Sequence, residues 1–280
     1  MNRRIAVLMT CHNRKDKTLA CLSRLFKATV PTGFSIEIHL VDDGSIDGTG
    51  DAIRLLYPDV IIYQGNGALY WAGGMRRAWS EASKFDYDYY LWLNDDTYVY
   101  EDFLITLIAG ALSSNDSAVL CSTVVSPTTG RITYGGMTEI PGYLVPNGKL
   151  QRCITITGNC VLVPRKIYEA IGFLDSAFAH AIADFDYGKR AIAAGFSCFV
   201  AGKIVGECES NPRPPLWCRS DVPLKKRWSS LYSPLGYASP KPFFIYEKRH
   251  FGLLLALKHW LSIHVRVLMP GLWEKDDKHG

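Results

Sequence analysis

Short apolar runs alternate with amphipathic stretches through the first half of this chain. Residues 5–10 read as a buried strand, and 15–28 as a helix with Leu19, Leu22, Leu25 and Phe26 on its inner face. Strands follow over 35–41, 60–64 and 89–93, interleaved with helical stretches over 50–57, 73–83 and 101–111. This alternation predicts an α/β architecture, a Rossmann-like, doubly wound and mainly parallel sheet. Ligands of such sheets bind beyond the carboxyl ends of the strands. The polar segments 10–14, 42–45 and 94–97 each follow a strand and are therefore expected in one crevice.

The second half mixes strands with turns. Strands are predicted over 118–125, 132–136, 154–164 and 198–205, with helices over 165–171 and 185–194. Asn211-Pro212-Arg213-Pro214-Pro215 then reads as a stiff connector. Beyond it the chain is basic and aromatic, with helix predicted from 242 to about 268. The pattern divides the chain into a large domain over 1–210 and an extension over 211–280.

At 280 residues with 48% hydrophobic content, the chain can bury one large core or two modest ones. There is no internal repeat and no low-complexity tract. The opening Met1-Asn2-Arg3-Arg4 and its apolar run resemble an export signal, but the run is short and meets Cys11-His12-Asn13-Arg14-Lys15 at once, which favours a first strand. No stretch approaches the ~18 apolar residues of a membrane span. Eight scattered cysteines without a CxxC pair favour free thiols in a reducing cytoplasm over disulfides or zinc. The formal charge of +4 is unevenly placed: residues 221–280 hold ten Lys/Arg against five Asp/Glu, the rest twenty-one against twenty-two.

The sharpest chemical feature is Leu91-Trp92-Leu93-Asn94-Asp95-Asp96-Thr97, where two acids end an apolar strand. Burying an unpartnered carboxylate is costly. A divalent cation such as Mg²⁺, which takes one or two carboxylates plus phosphate oxygens, would account for them. A solvated loop or a helix cap is the plainer explanation of the same residues.

The motifs together resemble inverting nucleotide-sugar glycosyltransferases of family 2, which have the GT-A fold. The resemblance is carried by Thr10-Cys11-His12-Asn13-Arg14, by Val41-Asp42-Asp43-Gly44-Ser45 with Asp47-Gly48-Thr49, and by Gly65-Asn66-Gly67 through Trp71-Ala72-Gly73-Gly74-Met75. Leu93-Asn94-Asp95-Asp96-Thr97, Thr157-Gly158-Asn159-Cys160 through Arg165, and Ala183-Asp184-Phe185-Asp186-Tyr187 with Arg190 complete it. In order, these cover roughly residues 5–205. The resemblance implies a nucleotide-sugar half over about 1–100 and an acceptor half over about 101–210.

It also implies roles. Thr10, Cys11, Asn13, Arg14, Asp42, Asp43, Gly65, Asn66, Gly74 and Asp95 would line the nucleotide, with Asp96 the ligand of a Mg²⁺ or Mn²⁺ ion. Asp184 would be the general base. The family usually shows Glu-Asp there, so Ala183 is a departure, while the second acid survives. Trp71, Gly158, Asn159 and His180 are candidates for the donor and acceptor sugars. Plainer readings stand beside these: an Asx turn at Asp42 and Asp43 with Asp47 capping the next helix, a tight turn at the glycines, core packing for Trp71, and a structural His180. Arg76 and Arg77 can meet phosphate or solvent. Asp186 is expected to pair with Arg190 at the i,i+4 spacing. A helix N-terminus would lower the pKa of Asp184 and burial would raise it.

The implied partners are a nucleotide-sugar donor and a glycan or lipid-linked oligosaccharide acceptor, at the cytoplasmic face of the membrane. The basic, aromatic tail suits either an anionic membrane surface or helices whose charges face solvent. Nucleic acid is not an expected partner, because the charge excess is small and no reader motif is present. A nucleotidyltransferase would want a glycine-rich basic loop after the first strand, which Cys11–Arg14 is not. A carbohydrate-binding protein without turnover is the non-enzymatic alternative.

Overall fold

The structure, a computed structural model, describes residues 2–210, 215–236 and 238–272; most of the predicted connector, 211–214, lies outside the described residues. The chain divides into two compact units: Met1–Asp175 with Asp184–Ser210, and Ser176–Ala183 with Asn211–Gly280.

The first unit opens with β1 (Arg3–Cys11), α1 (Lys15–Phe26), β2 (Phe34–Asp42), α2 (Thr49–Leu56), β3 (Ile61–Gln64), α3 (Tyr70–Ala82) and β4 (Tyr89–Leu93). It continues with β5 (Tyr98–Val99), α4 (Phe103–Ser113), β6 (Ala118–Val125), β7 (Ile132–Tyr134), β8 (Gln151–Arg152), β9 (Cys160–Pro164), α5 (Arg165–Ile171), α6 (Ala183–Ala193) and β10 (Ser197–Glu207). All ten strands join one sheet whose main order is β3-β2-β1-β4-β9-β6-β10-β5. β1 pairs parallel with β2 and β4, β2 with β3, and β10 with β6. β9 lies antiparallel between β4 and β6.

β4, β6 and β9 are buried at every position. Continuous apolar runs are what a sheet covered on both faces requires. A core of Ile5, Val7, Met9, Leu40, Leu91, Leu120 and Leu162 runs through the sheet and takes in Leu22, Leu25, Phe103 and Leu107 from α1 and α4. All eight cysteines are free and buried, in keeping with their apolar surroundings.

Three predicted boundaries move, each for a local reason. The strand expected over 154–164 forms only at Cys160–Pro164; ahead of it the Gly158 N–H donates to Asp184 Oδ2 and Thr157 Oγ1 to the Gly135 carbonyl. Helix α3 begins at Tyr70 rather than 73, since the carboxylate of Asp43 accepts the Leu69 and Tyr70 N–H groups (2.9 and 3.1 Å) at its start. Such a carboxylate satisfies N–H groups that a helix leaves unpaired. The helix predicted over 242–268 is two, α8 (Pro240–Phe251) and α9 (Leu253–Leu268), broken at Gly252, whose φ of 96° suits glycine.

The second unit also contains α7 (Leu224–Leu231). Its core joins Trp217, Cys218, Leu231, Ala238, Ile263 and Val267. Glu247 of α8 is buried and meets His259 Nδ1 of α9 at 2.9 Å, which ties the two helices together. No described helix is long and apolar enough to cross a membrane.

One close approach sets the crevice. A Cβ on Gly74 would lie 2.1 Å from Thr10 Oγ1 and 2.7 Å from Thr10 Cβ, so α3 sits directly on the end of β1. Gly74→Ala must push the helix outward. The expected cost is roughly 1–3 kcal/mol, the usual range for overpacking, read as a lower urea midpoint with an unchanged slope.

Candidate active site

The register explains why distant motifs meet. Thr10 pairs with Val41 and Cys11 with Asp42, while Leu8 pairs with Trp92, so β1, β2 and β4 end along one edge. β9 runs the other way with Cys160 opposite Leu93, which brings Gly158 and Asn159 to that edge. The Asn94 N–H donates to the Asn159 carbonyl at 2.9 Å and locks the two loops together.

The loops after β1 and β2 hold each other. Asn13, in a left-handed conformation at φ 50°, accepts the Ile46 N–H on its side chain, and its own N–H donates to Ser45 Oγ. His12 Nδ1 lies 2.6 Å from the Asp43 carbonyl and Nε2 lies 3.0 Å from Asn13 Nδ2. The tautomer with its hydrogen on Nδ1 satisfies both contacts. Asp42 accepts the Ser45 N–H three residues on, and Asp47 accepts the N–H groups of Lys15 and Thr49. Asp43 accepts Gly67 N–H on one oxygen and the start of α3 on the other. Its carboxylate is thus an anchor for the segment carrying Gly65 and Asn66. Gly65 packs so closely that a Cβ would meet Asp43 Oδ1 at 2.4 Å. Asn66 Oδ1 accepts Ala68 N–H within its own turn.

The paired acids share one cation. Arg14 reaches Asp95 Oδ1 at 2.9 Å and Asp96 Oδ2 at 3.0 Å. Asp95 is buried and also accepts a hydrogen bond from Thr18 Oγ1 at 3.1 Å. Burial pushes its carboxyl up to about 6, with Arg14 acting against the rise. Asp96 is more open, and the thiol of Cys208 approaches its Oδ1 at 3.8 Å. Burial raises that thiol to about 12, so it is protonated near neutrality. The described residues hold no group of three or more Asp, Glu, His or Cys that could form a metal cage. Asp96 is the more open of the two, and a cation that completes its shell with phosphate oxygens needs only one or two such carboxylates.

Removing Arg14 tests this arrangement. In Arg14→Met the Asp95 carboxyl loses its cation and its pKa rises further. A raised carboxyl pKa favours the protonated native state, so that stability is present at low pH and lost as pH rises past about 6. The variant's deficit, about 1–3 kcal/mol, should therefore grow with pH in melting curves.

Across the crevice, Asp184 at the start of α6 accepts Gly158 N–H on Oδ2 (2.8 Å) and Phe185 N–H on Oδ1 (3.0 Å). The residue keeps some exposure, yet desolvation by surrounding protein outweighs these bonds and pushes the carboxyl up to about 6. Gly158 rests against Trp71: a Cβ there would lie 2.6 Å from two ring carbons and 3.3 Å from Asp184 Cβ. Trp71 Nε1 donates to Asn94 Oδ1 at 2.7 Å. Asp184, Gly158, Trp71 and Asn94 thus form one packed chain ending beside Asp95 and Asp96. Asp186 is fully buried and pairs with Arg190 at 2.8 Å, and Arg190 donates to the Ile171 and Phe173 carbonyls. Arg76 donates to the Asp175 carbonyl at 2.9 Å. His180 belongs to the second unit. Ile182 adopts φ 74°, unusual for a β-branched residue, two positions before Asp184.

Three side chains enter this neighbourhood unannounced by sequence reasoning. Thr18 had a usable signal, one helical turn beyond Arg14 on the same face. Asn94 stood inside the acidic motif. Cys208 had none, because only the pairing of β10 with β6 carries it to the edge, where its thiol also meets Asn159 Nδ2 at 3.5 Å.

Comparisons with known proteins identify the family and the fold. The family model described as glycosyl transferase family 2 matches residues 6–172. Residues 1–349 of S. aureus TarS, solved in complex with UDP-GlcNAc, superpose with a TM-score of 0.59 at 13% identity, covering 95% of this chain and 81% of that one. A mannosyltransferase from Pyrobaculum calidifontis, PcManGT, solved with GDP-Man and Mn²⁺, gives 0.59 at 14% identity, covering 100% and 89%. Among curated proteins no sequence match is found. The chain belongs to glycosyl transferase family 2 and is a glycosyltransferase with a GT-A fold.

Proposed function

We propose that the protein moves a sugar from a nucleotide-sugar donor to a hydroxyl of a glycan acceptor, a lipid-linked cell-surface polysaccharide precursor, with inversion at the anomeric carbon. The observation that carries this reading is the packed chain from Asp184 through Gly158 and Trp71 to Asn94, which sets a carboxylate opposite the paired acids. Asp184 has one lone pair on each oxygen beyond those used by backbone N–H groups, so it can accept the acceptor's hydroxyl hydrogen. As the acceptor oxygen bonds to the anomeric carbon, its proton passes to Asp184, and the bond to the diphosphate breaks on the opposite face. Arg14 offers a guanidinium suited to phosphate oxygens. Asp96, with Asp95 beside it, would hold a divalent cation, which would supply Lewis-acid neutralisation of the departing diphosphate. The indole of Trp71 offers a flat apolar surface at the same edge, which suits a sugar ring.

TarS bound to UDP-GlcNAc and PcManGT bound to GDP-Man with Mn²⁺ support the donor class and the cation. A melting panel of UDP, dTDP and GDP, each with and without Mn²⁺, tests the reading. A ligand that binds only the native state raises its apparent stability. Stabilisation by one nucleotide that depends on Mn²⁺ is expected and names the donor class. Absence of any shift, with no sugar transfer from the matching donor, would move the protein to the non-catalytic, carbohydrate-binding reading.

A further inference from the structure

We propose that the outward face of α9 lies on the surface of an anionic phospholipid membrane. The inference rests on the second unit alone, so its failure would leave the reaction above untouched.

Helix α9 has one buried seam, Ala256, Ile263 and Val267. A helix on a water-facing surface should be polar opposite such a seam. Here the opposite face is Leu254, Leu257, Leu261, Val265 and Leu268, recurring every three or four residues, and Leu254 is 84% exposed. Only Lys258 interrupts it. Aromatic groups border the strip. Trp260 packs on His264 with ring centroids 4.1 Å apart, and His264 also meets Trp228 and hydrogen-bonds to Tyr232 of the α7 region. Trp228, Tyr232 and Trp260 are all exposed. Amphipathic rings of this kind settle at the boundary between water and hydrocarbon.

Charge identifies the occupant. Residues 215–272 hold nine Lys/Arg and two Asp/Glu. Lys225 lies one turn before Trp228 on α7, and Lys248 and Arg249 end α8 just ahead of Gly252. A second copy of the chain docked face to face would bring this excess, Lys258 included, against itself. An anionic lipid surface attracts it and covers the leucines together. Orientation follows from length. At 16 residues α9 is about 24 Å long, short of the roughly 30 Å hydrocarbon core, so it lies in the plane of the interface.

Flotation of the full chain with vesicles tests this. Binding to mixed phosphatidylcholine–phosphatidylglycerol vesicles should exceed binding to phosphatidylcholine alone by about tenfold or more, and added salt should reduce the excess. The double variant Leu254→Gln/Leu261→Gln should lower binding at least about tenfold with an unchanged melting temperature, because both residues are exposed. Lys258→Glu should weaken binding to the mixed vesicles and leave the phosphatidylcholine value unchanged. Equal binding to both vesicle types, or binding indifferent to the double variant, would overturn the proposal. So would a monomer–dimer equilibrium in sedimentation that the double variant abolishes, which would assign the face to a second copy.

Discussion

Asp184→Asn should abolish most sugar transfer while the protein stays folded. General-base catalysis contributes about 10²–10⁴-fold, and a loss of that size in kcat is expected with donor binding little changed. The wild-type rate should rise with pH and level off above a break near 6, because only the ionised carboxylate accepts a proton and burial holds its pKa at about 6. Stability should run the opposite way. A carboxyl with a raised native pKa contributes stability below its unfolded pKa, near 4, and loses it as pH rises through about 6. The asparagine has no charge to desolvate, so its melting temperature relative to wild type should improve across that window. One amide oxygen can replace only one of the two acceptors used by Gly158 and Phe185, which partly offsets the gain. Transfer by Asp184→Asn at the wild-type rate would remove Asp184 from the mechanism.

Asp96→Asn should uncouple nucleotide from metal. With the more open of the paired acids neutral, Arg14 keeps Asp95, but a cation loses its best ligand. Removing a group that stabilises developing charge in a water-poor site typically costs about 10²–10³-fold, and transfer should fall by that much. Titration of the nucleoside diphosphate should then give the same affinity with and without Mn²⁺. Mn²⁺ binding followed directly by electron paramagnetic resonance should weaken in parallel. Metal-dependent affinity that survives in the variant would place the cation elsewhere.

The two experiments fail differently. A wild-type rate in Asp184→Asn, with metal dependence lost in Asp96→Asn, would keep the donor site and discard the base. The reverse would keep the base and discard the cation's ligand.

Much of the fold is legible in the sequence, because burial on both faces of a sheet demands uninterrupted apolar runs. Such runs at 5–10, 89–93 and 118–125 all became strands. Weak or short elements were not readable. β5 and β8 are two residues each and exist only through pairing with β10. The antiparallel placement of β9 also lay beyond the pattern, since a buried run reads the same in either direction.

The sequence by itself determined which chemistry the chain could offer: carboxylates after strands, glycines where backbone must come close, and a run of leucines among cations. Those are properties of residue type and spacing, and spacing within one element translates directly into a face. Only the tertiary structure decided which oxygens remain available. It committed Asp43 to the start of α3, set Arg14 between Asp95 and Asp96, brought Cys208 to Asp96, and left the leucine face of α9 opposite its buried seam exposed. Each depends on contacts between residues far apart in the chain, whose partners are fixed by packing and register rather than by local preference.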